Sequence, residues 1–107
     1  MKIGRIYTFQ SAHYLPNVAD GHKCKNLHGH NYKVEIVFLG SLDHRGFVKD
    51  FAEIDELMAP ILKELDHKLI NDVIFNPTAE HIAMWIQAKS GAHGVTVWEN
   101  ERCWARG

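Results

Sequence analysis

The chain has 107 residues, 46% of them hydrophobic, with twelve Lys plus Arg against thirteen Asp plus Glu for a formal net charge of -1. That length can bury the core of one domain, residues 1–107, and leaves no room for a second. With no basic run interleaved with aromatics, nucleic acid and membrane surfaces are excluded as default partners.

The opening M-K-I-G-R-I-Y-T-F has no apolar core of a signal peptide, and no stretch approaches the roughly 18 apolar residues of a membrane span. A soluble, cytoplasmic protein is expected, and its two cysteines, Cys24 and Cys103, are expected to be free thiols. Eight histidines in a chain of this length make metal or proton chemistry the first thing to test.

Residues 2–14 alternate, with Tyr7, Phe9, Ser11 and His13 on one side, and predict a strand. Residues 15–27 show no period and carry Pro16 and Gly21, predicting a long loop of the kind that is usually functional. Alternation returns over residues 28–39, so that His28, His30, Tyr32, Val34, Ile36 and Phe38 share one face while Lys33 and Glu35 lie on the other. G-S-L-D-H-R-G predicts a turn and F-V-K-D (47–50) a short strand pairing back as a hairpin.

A helix follows from about Asp50, its apolar stripe formed by Phe51, Ile54, Leu57, Met58, Ile61, Leu62 and Leu65, with a kink expected at Pro60. N-P-T-A-E (76–80) opens a second helix, with Thr78 as N-cap and Glu80 at the positive end of the dipole. Ile82, Ala83, Ile86 and Trp85 form its apolar side. K-S-G-A-H-G ends it, and V-T-V-W-E-N-E-R-C-W (95–104) predicts a last strand with Val95, Val97, Glu99, Glu101 and Cys103 on one face. The order predicts an α+β fold, an antiparallel sheet of about four strands with two helices on one face, whose open edges call for association.

A catalytic zinc site needs three protein ligands and one open position. His28 and His30 share a strand face, and His13 points inward from the neighbouring strand, so three imidazoles can converge; two ordinary histidines on a strand are the alternative. Gly29 between them leaves the opposite face open. Cys24, in the loop leading to His28, reads as a thiolate near a cation, a fourth ligand closing the site, or a small buried apolar residue. Asp66-His67 ends the first helix, either as a carboxylate and imidazole acting together or as a histidine stabilised by the helix dipole. Glu99 interrupts an apolar face and needs a partner, unless it turns outward. His22, His44, His81 and His93 are expected to be solvated.

The motifs F-Q-S-A-H (9–13), C-K-N-L-H-G-H-N-Y (24–32), V-K-D-F (48–51), L-D-H (65–67), N-P-T-A-E (76–80) and the W-E ending at Glu99 together resemble, in order and over nearly the whole chain, the 6-pyruvoyl- and 6-carboxy-tetrahydropterin synthase family of tunnelling-fold enzymes. The resemblance implies zinc held by His13, His28 and His30, a proton-transfer triad of Cys24, Asp66 and His67, and a pterin anchored by Glu99 with further contacts from Thr78 and Glu80. It implies 7,8-dihydroneopterin triphosphate as substrate and a homohexamer, a dimer of trimers, whose sheets close into barrels with sites at subunit interfaces.

The three residues between Cys24 and His28 resemble the 6-carboxy branch of queuosine and deazapurine biosynthesis, which implies 6-carboxy-5,6,7,8-tetrahydropterin, acetaldehyde and triphosphate as products. The 6-pyruvoyl branch, which eliminates triphosphate without carbon–carbon cleavage, is the alternative. A cupin-like oxygenase using Glu35 as a further ligand is disfavoured by the parity of Glu35, and a non-catalytic metal or pterin-binding module is the remaining rival. Glu101 shares the parity of Glu99 and competes with it as anchor.

Overall fold

In the computed structural model, which describes residues 1–107, strands β1 (Lys2–His13) and β2 (His28–Leu39) run antiparallel in unbroken register from Lys2 opposite Leu39 to His13 opposite His28. Alternation determines their faces: Phe9, Ser11, His13, Tyr32, Val34 and Ile36 are buried, whereas Thr8, Gln10 and Asn31 are exposed. Phe9 and Tyr32, directly opposed, stack with ring centroids 4.8 Å apart.

Helix α1 (Phe51–Leu65) starts where the Asp50 carboxylate accepts the N–H of Ala52, and buries Ile54, Met58, Ile61 and Leu65. Phe51, at the helix start, is exposed, and the helix continues through the exposed Pro60. Helix α2 (Ala79–Ser90) is capped by Thr78, whose hydroxyl accepts the His81 N–H at 3.1 Å, and ends at Gly91 with φ 68°, a left-handed conformation that glycine adopts without cost. Ile82, Ala83 and Ile86 are fully buried or nearly so and Trp85 is half-buried. No helix is long and apolar enough to cross a membrane.

Strands β3 (Gly94–Trp98) and β4 (Trp104–Arg106) complete a four-stranded antiparallel sheet in the order β1-β2-β3-β4. The two helices pack on one face of it against a continuous apolar core. The α+β expectation therefore holds, but two strand expectations do not.

Residues 47–50 form no strand. Both edges of β2 are already taken, by β1 and β3, so a returning segment has no ladder to join. Asp43 organises this connection instead, its carboxylate accepting the N–H groups of Arg45 and Phe47.

The segment 95–104 is likewise not one strand. Asn100 accepts the N–H groups of Arg102 and Cys103 at 2.8 and 2.9 Å, and Glu99 N–H donates to Cys103 O, so the chain reverses and returns as β4. The shared parity expected for Glu99, Glu101 and Cys103 is lost in that turn. Both cysteines are free, as expected.

Candidate metal centre and adjoining cavity

The unbroken β1–β2 register places His13 directly opposite His28, with His30 one pleat further along the same face. Ring centroids of the three imidazoles lie 4.6 to 5.0 Å apart, and one ring nitrogen from each falls within 4.8 Å of the others.

Backbone carbonyls fix two of the tautomers. Nδ1 of His13 is 2.7 Å from Pro77 O, and Nδ1 of His28 is 2.7 Å from Asn26 O. A carbonyl can only accept, so each neutral ring carries its proton on Nδ1 and presents a bare Nε2 lone pair. Those two Nε2 atoms face each other at 3.0 Å.

Nε2 of His30 is buried and has no hydrogen-bond partner. Burial first, and then the neighbouring His28, lowers the tendency of His30 to protonate, against the charge of Glu99. His13 is likewise shifted down, mainly by burial. Two facing lone pairs and a third, orphaned nitrogen in a place that disfavours imidazolium make a donor set suited to a divalent cation. No thiol belongs to the set.

The half-buried Cys24 sits on a single 3-10 turn, Lys23–Lys25. His22 accepts its N–H at 3.1 Å, and its carbonyl accepts the Leu15 N–H at 2.8 Å, which ties the thiol-bearing loop back to the chain leaving β1. His22, His44, His81 and His93 are exposed, as expected.

Pairing of β2 with β3 stops at Lys33 opposite Trp98. Beyond that pair the Asn100 turn carries the chain away from β2, and a cavity of about 580 Å³ opens between them. Gly29, His30 and Lys33 line one side; Trp98, Glu99 and Glu101 line the other. The half-buried Glu99 carboxylate stands 3.8 Å from His30 Nε2, whereas Glu101 is exposed on the turn. Lys33 Nζ lies 4.1 Å above the Trp98 ring.

Asp66 and His67 lie elsewhere on the sheet. The Asp66 carboxylate accepts the Gln10 N–H at 3.0 Å and contacts His67 Nδ1 at 2.9 Å, while the His67 N–H donates to Gln10 O. These bonds hold His67 at φ 56°, a left-handed conformation uncommon for a residue with a Cβ. The pair opens onto a separate cavity with Thr8, Gln10 and Lys33, on the sheet face away from the helices. Thr78 has its hydroxyl engaged as the α2 cap, and Glu80 is exposed in the first turn of that helix. Glu35 is on the opposite face from the histidines, so a cupin-like ligand set does not form.

Sequence reasoning found the three imidazoles but not the carbonyls of Pro77 and Asn26 that orient two of them. It also passed over Tyr32, which is fully buried among His13, His30 and Phe9 with a hydroxyl that has no partner. Its position two residues beyond His30, on the same strand face, was the available signal.

Residues 2–106 match the family model described as 6-pyruvoyl tetrahydropterin synthase. An Archaeoglobus fulgidus protein provisionally named 6-carboxy-5,6,7,8-tetrahydropterin synthase is 37% identical over 111 residues, covering 98% of this chain and 93% of its own. A dihydroneopterin monophosphate aldolase of Pyrococcus furiosus is 35% identical over 91 residues, covering 83% of this chain and 75% of its own. The solved structure of Caenorhabditis elegans 6-pyruvoyl tetrahydropterin synthase superposes with a TM-score of 0.91 at 26% identity, covering 100% of this chain and 94% of that one.

Proposed function

The chain belongs to the 6-pyruvoyl tetrahydropterin synthase family of pterin metabolism, and from that membership we propose a zinc-dependent lyase. Its reaction would convert 7,8-dihydroneopterin triphosphate to 6-carboxy-5,6,7,8-tetrahydropterin, acetaldehyde and triphosphate, in queuosine and deazapurine biosynthesis. The observation that carries this reading is the convergence of His13, His28 and His30 beside a cavity whose far wall holds Glu99. The three-residue interval from Cys24 to His28 and the name of the Archaeoglobus relative support the 6-carboxy branch.

In this mechanism His13, His28 and His30 hold the metal through ring nitrogens, two of them aimed by backbone carbonyls. Zinc at that position would supply a Lewis acid for the side-chain hydroxyls of the substrate. Glu99 accepts paired N–H donors from the pterin edge and so fixes which carbon faces the metal centre. Cys24, left outside the ligand set, removes a proton from the substrate side chain. His67 moves protons from an imidazole oriented by Asp66. Thr78 and Glu80 contribute to pterin binding at the start of α2.

We place residues 1–107 in one domain working within a cytoplasmic homohexamer, a dimer of trimers whose sheets close into barrels. Support for shared sites comes from Asp66-His67, which opens onto a different cavity from Glu99 and can serve a neighbouring subunit.

A second reading rests on the Pyrococcus relative: a pterin aldolase acting on the monophosphate. Product analysis separates the candidates. The proposed reaction releases acetaldehyde with free triphosphate, the 6-pyruvoyl reaction releases triphosphate alone, and a retro-aldol cleavage leaves the phosphate on the released aldehyde. Zinc quantified beside those products should show Cys24→Ala retaining metal and making no product, and His28→Ala losing both. Unchanged turnover in both variants would overturn the mechanism, and a native protein that binds zinc and pterin without turnover would establish a non-catalytic module.

A further inference from the structure

The hydroxyl of Tyr32 is the feature that the proposed mechanism leaves unused. The residue is fully buried on the histidine-bearing face of β2, with ring centroids 5.4 Å from His30 and 5.9 Å from His13 in edge-on contact. Its hydroxyl has no partner, and His30 Nε2 beside it is the other buried side-chain polar atom left without one. A buried hydroxyl without a partner is destabilising, and Phe would fill the same space without that penalty. A tyrosine here therefore makes sense where the hydroxyl gains an acceptor in a loaded state of the site.

One carboxylate is available for that role. Lys33 is the last residue of β2 paired with β3, opposite Trp98, so Tyr32 and Glu99 are the next residues along the two strands, and a phenol is an O–H donor at neutral pH. Glu99 also stands 3.8 Å from His30 Nε2. Once His30 gives that nitrogen to a cation, the ring can no longer offer Glu99 a proton there. The Tyr32 hydroxyl is then a buried donor without a partner on the strand face that Glu99 reaches at His30.

We propose that Tyr32 is a positioning residue that donates its hydroxyl hydrogen to the Glu99 carboxylate when the three histidines hold a metal, setting the carboxylate's orientation for the pterin. This rests on the reading of Glu99 as the pterin anchor.

The test uses zinc-loaded full-length protein and neopterin, whose fluorescence reports binding. Tyr32→Phe should keep its zinc, melt no lower than the native protein when metal-free, and bind neopterin roughly tenfold more weakly, the scale of one lost hydrogen bond to a charged group. In a Glu99→Ala background the same change should alter affinity by less than about twofold, because the partner is already gone. Native-like neopterin affinity in Tyr32→Phe, or equal losses in both backgrounds, would refute the inference, as would loss of zinc, which would assign the hydroxyl to the histidines. If Glu99→Ala alone leaves neopterin affinity unchanged, the anchor reading fails as well, and the two failures are told apart.

Discussion

Asp66 and His67 show how a local sequence pair acquires a defined geometry. The Asp66 carboxyl titrates below the ordinary carboxylate value of 3.8, first because Gln10 donates its N–H to it and then through His67. Its folded value lies below its unfolded value, so the stability from these bonds is fully present above about pH 3.8 and is lost as pH falls through the folded value. In urea unfolding, the native protein should exceed Asp66→Asn by a constant margin from pH 5 to 7, and the margin should shrink below pH 4. A margin that grows on acidification would contradict the assignment. His67 depends on the same bonds to stay at φ 56°. Asp66→Asn should therefore disturb the imidazole's placement.

At the scale of elements, α1 is strapped to β1 by one cluster. Tyr7 donates its hydroxyl to Asp55 at 2.6 Å, and Arg5 donates two N–H groups to the same carboxylate at 3.1 Å. Burial first, then Asp55, pushes Tyr7 up to about 12. Its contribution is complete below pH 10, the ordinary phenol value, and is lost as pH rises through about 12. Tyr7→Phe should cost about 1.5 kcal/mol in urea unfolding without changing the denaturant slope. Arg5→Met should cost less, because that ion pair is nearly half exposed. Both strands of this hairpin, both helices and the cap at Thr78 were legible in the sequence, since period and cap spacing are local signals, whereas the cap at Asp50 was hidden under the strand expected there. The convergence of His13 with His28 and His30 was legible for the same reason, through strand parity. The false strand at 47–50 and the missed reversal at Asn100 share one cause: which edge of β2 is free is decided by segments far away in sequence. The roles of Pro77 and Asn26 were illegible because a backbone carbonyl carries no residue identity.

Over the whole molecule, the long hairpin stretches the chain to 56 × 22 × 21 Å, with a radius of gyration of 15.0 Å. A compact chain of this length has about 13 Å. The excess leaves β1 as a twelve-residue edge strand, the kind of edge that subunit association covers. If sites are shared across that association, mixed assemblies of Cys24→Ala and His67→Ala subunits should recover activity that neither parent has. Mixtures as inactive as their parents would place each complete site within one chain. The division of labour along the chain also has a bearing on the order in which the protein folds. His13, His28 and His30 are joined by closing a loop of 14 residues within one hairpin, whereas Glu99 reaches His30 across 69 positions. Short loops close first. The half that carries the candidate metal centre can therefore take shape while the last strands are still unfolded; if the three histidines hold zinc, as proposed, zinc present during refolding should accelerate formation of the sheet, not only stabilise the finished protein.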